Sequence, residues 1–258
     1  MIQKNTRINN IIPVIGFGTW KISGDECIQS VEHALDIGYR HIDTAQMYRN
    51  EHEVGKGVKR SGVKRDEVFV TTKIATDNLY PPEIRKSTAR SLEKLEMDYV
   101  DLLLIHWPTP EMDLNDCLET MFELRDEGFI RHVGISNFNP GLFERSLKIG
   151  PIVTNQVKFN IHNRQQDNLN IAKQHKSSIT AYTPLEHGNV PKDKPLRSIG
   201  EKYNKTPSQV ILRWLIQLGN VSVIPKAASN LHRIENIDLF DFELSGQEME
   251  IINNLEAA

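Results

Sequence analysis

Eight short β-branched runs alternate along this chain with longer segments of helical spacing, and that alternation restricts the fold more than any single motif. The runs are residues 14–17, 39–42, 68–71, 100–105, 130–135, 153–157, 179–182 and 221–224. They are near-continuously apolar, as strands buried on both faces should be. Between them, Ile28, Val31 and Leu35 share one helical face that Gly38 would end as a C-cap. Pro81 and Pro82 suit a first turn ahead of the stripe Ile84, Thr88, Leu92 and Leu95. Thr206-Pro207-Ser208-Gln209 reads as a capping box before Val210, Trp214 and Leu218. Strand and helix repeated eight times predict an α/β fold, a closed parallel (β/α)8 TIM barrel forming one domain over residues 1–258. The alternative is a doubly wound open sheet. Against it, Gly16-Phe17-Gly18-Thr19-Trp20 lacks the third glycine of a dinucleotide fingerprint after a first strand.

Composition narrows the partners. The 258 residues are 39% hydrophobic and 25% charged, with a net charge of -3 spread in both signs. No basic face or tail points to nucleic acid. No run approaches 18 apolar residues, so no membrane span is expected, and the N-terminus lacks the pattern of a secretory signal. Cytoplasmic localisation follows as an expectation. Cys27 and Cys117 both fall in helical segments and read as free thiols in a reducing compartment.

The functional signal is polar residues where the apolar runs end. Asp43, Lys73 and His106 close the second, third and fourth runs; Ser136-Asn137 follow the fifth. Gln156 lies near the end of the sixth, Tyr182 ends the seventh, and Lys226 follows the eighth. In a barrel these ends share one rim, where active sites sit. Taken singly, each is better explained as a loop, surface or core residue; their convergence argues otherwise. Asp43 can keep a buried Lys73 charged. Tyr48, five residues past Asp43, can fold back over them, and the lysine should lower its pKa. His106 offers an N–H to a carbonyl oxygen, which makes the group a proton-donating oxyanion site. No metal is expected, because the nine histidines lack ligand spacing such as HExxH.

The same residues carry a resemblance. Gly16-Phe17-Gly18-Thr19-Trp20, Asp43-Thr44-Ala45-Gln46-Met47-Tyr48 with Asn50-Glu51, Thr71-Thr72-Lys73 and Ile105-His106-Trp107-Pro108 appear in order. Gly134-Ile135-Ser136-Asn137-Phe138, Asn155-Gln156-Val157, Tyr182-Thr183-Pro184-Leu185 and Ile224-Pro225-Lys226 follow them. Over almost its whole length the chain resembles the aldo-keto reductase superfamily, in particular its short prokaryotic-type reductases of diketo-gluconate and aldehydes. The resemblance implies a barrel whose bottom is closed by an N-terminal β-hairpin, and a catalytic tetrad of Asp43, Tyr48, Lys73 and His106. It implies an extended cofactor, NADPH (NADP+) with NADH as an alternative, lying along Gly18 and Thr19. Ser136, Asn137 and Gln156 would hold its carboxamide, Tyr182 would stack on the nicotinamide ring, and Thr183 to Leu185 would meet the pyrophosphate. Lys226, Ser229, Glu235 and Asn236 would meet the 2′-phosphate and adenine.

Several positions depart from the pattern. Many relatives place an arginine six residues after the lysine; here that position is His232, with Arg233 next, and either could reach the phosphate. Lys158 and Asn160 replace a glutamate and a histidine, and Thr183 replaces a serine. The chain ends soon after a helix expected at residues 244–255. Without the C-terminal loop of larger relatives, the substrate site would be open and permissive, lined by Trp20, Met47 and Trp107 beside Tyr48 and His106. The expected function is NADPH-dependent reduction of a small-molecule carbonyl by a monomer. A cofactor-binding sensor or regulatory subunit is a second reading, and an aldolase using Lys73 as a Schiff-base amine a third.

Overall fold

The computed structural model describes residues 2–188 and 194–255, and in it every apolar run contributes a strand. A short antiparallel hairpin, β1 (Arg7–Ile8) and β2 (Ile12–Pro13), precedes the barrel strands. These are β3 (Phe17–Gly18), β4 (His41–Asp43), β5 (Phe69–Ile74), β6 (Val100–Ile105), β7 (Ile130–Ser136), β8 (Asn155–Lys158), β9 (Ile179–Tyr182) and β10 (Val221–Val223). Each pairs in parallel with its sequence neighbour. The first and last also meet. Ile15 bridges Val223 in parallel, the Gly16 N–H donates to the Val223 carbonyl at 2.8 Å, and the Val223 N–H donates to the Val14 carbonyl at 3.0 Å. The sheet therefore closes on itself, which excludes the open doubly wound alternative.

Around it run α1 (Gly24–Asp36), α2 (Glu51–Arg60), α3 (Pro81–Leu95), α4 (Leu114–Asp126) and α5 (Pro140–Ile149). Then come α6 (Gln166–Gln174), α7 (Lys194–Tyr203), α8 (Pro207–Gln217), α9 (Asn230–Ile237) and α10 (Gly246–Asn253). The sequence cues for their ends hold. Gly38 takes φ +99 just past α1, a left-handed conformation open to glycine without strain. Thr206 and Gln209 form the capping box of α8. The last helix is shorter than the expected 244–255, because Ser245 caps it in a box with Glu248.

Strand boundaries shift by one to three residues toward the C-terminus relative to the apolar runs in β3, β4, β5 and β8. The reason is physical. Polar residues taken as terminators, such as Asp43 and Lys73, are themselves within the ladder. Gly18 has a packing reason to be glycine: a Cβ there would stand 2.8 Å from the Ile224 carbonyl oxygen, where the first strand meets the last. The hairpin closes the opposite end of the barrel. Asn9 donates to the Lys176 carbonyl just ahead of β9, and Ile12 packs with Phe69 and Leu102 at the strand starts. Both cysteines are buried and unpaired. No described helix is long and apolar enough to cross a membrane.

Candidate active site

Strand register brings the polar ends together. Asp43 pairs with Thr71 across β4 and β5, and Lys73 pairs with Leu104 across β5 and β6, so Asp43, Lys73 and His106 occupy adjacent positions on one rim. Lys73 is fully buried. Its Nζ donates to Asp43 Oδ1 at 2.5 Å, to the Thr44 carbonyl at 2.8 Å and to the Tyr48 hydroxyl at 3.4 Å. Asp43 accepts a second bond on its other oxygen from Gln156 Nε2 at 2.7 Å. Tyr48 lies on a short 3-10 turn, residues Gln46–Tyr48, with the Lys73 ammonium 4.8 Å from its ring centroid and His106 edge-on at 5.6 Å. The four residues of the expected tetrad thus form one connected chain, Asp43 to Lys73 to Tyr48 to His106.

Their electrostatics divide into one expectation met and one reversed. Burial alone would discharge Lys73, but the Asp43 carboxylate, the Tyr48 oxygen and the hydrogen bonds to both outweigh it and hold its pKa above the ordinary lysine value. The expectation that Lys73 lowers the Tyr48 pKa is overturned for the site as a whole. Burial pushes the phenol up, Asp43 adds to that, and Lys73 offsets only part of it, so Tyr48 stays above its ordinary value. Tyr48 is therefore a protonated phenol at neutral pH, the state a proton donor requires. Burial, with the Lys73 charge, drives His106 down to about 3, so its imidazole is neutral, with Nδ1 buried and unpartnered. A neutral ring carries one N–H to offer.

The residues assigned to the nicotinamide end form one bonded group. Ser136 Oγ donates to the Gln156 carbonyl at 2.8 Å. Asn137, held at φ +64, donates through Nδ2 to the His106 carbonyl and to Ser136 Oγ. The Tyr182 hydroxyl donates to Asn137 Oδ1 at 2.8 Å, which fixes the half-buried ring. Thr183 continues this edge in a left-handed conformation, and Leu185 is half-buried. Asn160, which departs from the family pattern, donates to the Thr183 carbonyl and caps the turn through residues 162 and 163. Exposed Lys158 stands 4.0 Å from Glu186.

At the far end of the rim the placement is uneven. Thr19 is buried and donates through Oγ1 to the Asp43 carbonyl, so it braces the tetrad strand. Lys226 and His232 are exposed, Glu235 is half-buried and Asn236 buried. Ser229 Oγ caps α9 by accepting from the His232 N–H. Arg233 corrects an expectation. It is 3% exposed, and its guanidinium is spent on Ala227, Ala228, Ser30, His33 and Asn230. Its burial takes it away from the surface that a phosphate would approach and leaves His232 as the exposed candidate. Trp20, Met47 and Trp107 stand at the mouth, 41%, 50% and 45% exposed, and Trp20 meets His187 at 5.6 Å between ring centroids.

Three supporting residues escaped the sequence reading. Asn50 joins Thr19, Ile22 and Thr44 and so ties the first loop to the tyrosine loop. Gln46 accepts from the Ala75 N–H and Asn78 and donates to Ser91, which anchors the turn that carries Tyr48. The Thr44 carbonyl is a ligand of the Lys73 ammonium that no side-chain pattern encodes. Asn50 sits directly before α2 without capping it, and an amide at that position is its only signal in the sequence.

Comparison with known proteins agrees with the barrel fold. The profile of the aldo/keto reductase family matches residues 14–257. An aldo-keto reductase of Mycolicibacterium smegmatis is 40% identical over 251 residues, covering 96% of this chain and 90% of the relative. The methylglyoxal reductase DkgB of Escherichia coli O157:H7 is 39% identical over 250 residues, covering 95% and 93%. Among solved structures, the Bombyx mori aldo-keto reductase in complex with NADP superposes with a TM-score of 0.88 at 33% identity, covering 95% of this chain and 89% of that one.

Proposed function

The chain belongs to the aldo/keto reductase family and is an oxidoreductase acting on carbonyl groups; from that premise we propose that it reduces aldehydes and ketones to alcohols with NADPH, with Tyr48 as general acid. The observation that carries this reading is the Tyr48 hydroxyl 3.4 Å from the buried Lys73 ammonium, which in turn bonds the Asp43 carboxylate at 2.5 Å. As the carbonyl oxygen gains negative charge, Tyr48 gives it the phenolic proton. Lys73 stabilises the phenolate that remains, and the neutral His106 N–H orients the oxygen. Asp43 holds Lys73 in place rather than touching substrate.

A nicotinamide dinucleotide fits the residues present. Tyr182 offers a half-exposed ring pinned through its hydroxyl, next to the amide and hydroxyl group of Ser136, Asn137 and Gln156. Those three already bond one another, so a carboxamide would exchange bonds with them rather than merely add to them. Exposed Lys226 lies at the other end of the rim, its Cβ close to Gly18, where charge-assisted bonds favour a phosphate-bearing cofactor. When bound, the reduced nicotinamide supplies the hydride. Trp20, Met47 and Trp107 give the mouth an apolar, open lining suited to a range of small carbonyl compounds. The name of the E. coli relative favours small dicarbonyls among these.

The test is NADPH oxidation across a panel of aldehydes, ketones and methylglyoxal, with NADH in parallel. Turnover of several aldehydes, faster with NADPH, is expected. Tight NADPH binding without turnover of any carbonyl would favour the sensor reading instead.

A further inference from the structure

The loop from Pro225 to Ser229 carries Lys226 and leads into α9, yet no described strand or helix pairing holds the Ala227 and Ala228 carbonyls. Both turn toward Arg233 instead. Its Nη1 donates to Ala227 O at 2.9 Å, to Ala228 O at 2.8 Å and to Ser30 Oγ at 3.1 Å. Its Nε donates to His33 Nδ1 at 3.2 Å, and its Nη2 bonds Asn230 Oδ1. The Tyr39 hydroxyl donates to the Arg233 carbonyl at 3.1 Å, and the guanidinium lies 5.9 Å from the Phe17 ring centroid. One buried side chain thus joins the loop, the first turn of α9, helix α1 and the first barrel strand. Lysine could not replace it, because a single ammonium cannot span acceptors on three segments in one plane.

We infer that Arg233 is a positioning residue for the phosphate end of the cofactor: it sets the loop that presents Lys226 without touching the phosphate itself. The inference rests on the reading of Lys226 as the 2′-phosphate contact. On this view the selectivity for NADPH depends on a residue that is buried and out of its reach. The nicotinamide end is held separately by β7, β8 and β9, so loosening the loop should disturb one cofactor and not the other.

The experiment is titration of Arg233→Met with NADPH and with NADH, followed by quenching of tryptophan fluorescence, with Lys226→Gln alongside. Two lost carbonyl bonds and a displaced Lys226 should weaken NADPH about tenfold or more, with NADH changed less than about twofold. Ser30→Ala and Asn230→Ala each remove one acceptor without emptying the site, and should weaken NADPH alone by about two- to threefold. They keep the test decisive if Arg233→Met does not fold. Equal loss for both cofactors, or no loss in any of the variants, overturns the inference. If Lys226→Gln removes the NADPH preference while the Arg233 set does not, the inference fails and the phosphate reading stands. If Lys226→Gln changes nothing, both fall.

Discussion

The two ends of the rim are built on opposite principles. At the tetrad, the chemistry-bearing side chains sit on or just beyond strands whose ladder fixes them, and the central charge is fully buried and compensated. At the end proposed for the cofactor phosphate, Lys226 and His232 stand exposed on a loop and a helix face, and one buried arginine bonds the loop carbonyls. Changes at the first end should therefore be large and should couple stability to catalysis. Changes to the exposed residues of the second should be small and confined to cofactor choice.

The sharpest break in that contrast would come from Tyr48→Phe. Loss of the general acid should lower kcat by about a thousandfold, near the middle of the range for a positioned proton donor, with NADPH affinity within about twofold. Steady-state kinetics and cofactor titration check it, and retained turnover would remove Tyr48 from its role. Next is Asp43→Asn, which strands a buried ammonium and frees Gln156. A destabilisation of about 3 kcal/mol or more in urea unfolding is expected, against less than about 0.5 kcal/mol for Lys226→Gln. Comparable losses for the two variants would erase the distinction.

Titration separates the ends more gently. His106 and the barrel-core His41 are both driven down to about 3, chiefly by burial and then by the Lys73 charge. The folded state resists their protonation and the unfolded chain accepts it near pH 6.5, so unfolding takes up protons. Stability present above about pH 6.5 should fall as the pH drops from there toward 3, and His106→Gln should flatten part of that slope. The reduction rate should show no ionisation near pH 6.5. Because Tyr48 lies above its ordinary value, it should also show no loss of the acid form until strongly alkaline pH. A limb near neutrality that His106→Gln removes would show that the imidazole is charged in the working enzyme.

What could be read in the sequence follows the same division. Asp43, Lys73 and His106 were legible because parallel strands carry a fixed register: a polar residue at the end of an apolar run has one place to go. Ser136, Asn137 and Gln156 were legible as a group for the same reason. Their bonds to one another, and the bond from Gln156 to Asp43, were not, since those depend on rotamers. The net effect on Tyr48 was misjudged because proximity to a cation can be read from a motif, whereas the burial that outweighs it belongs to the folded surroundings. The direction Arg233 takes was not legible, because the face of α9 that packs inward depends on where the preceding loop starts the helix. The sequence places it one residue past an expected position, and only the packing of α9 against α1 turns it inward. Asn160 had no reading at all until the Thr183 carbonyl lay beside it.

The smallest expected effect tests the loop from its exposed side. His232 occupies the position where many relatives carry arginine, and it faces solvent next to the cap that Ser229 makes on α9. His232→Arg puts a permanent cation with planar, paired donors in place of the imidazole ring. The site is exposed and screened, so the gain should be modest: about threefold tighter NADPH, no change for NADH, and a gain that shrinks as salt is raised. Cofactor titrations at low and high ionic strength measure it. A gain equal for both cofactors would place residue 232 near the adenine ring or the pyrophosphate instead. No gain at all would mean that Lys226, on a loop already fixed from beneath by Arg233, supplies the whole of the phosphate preference.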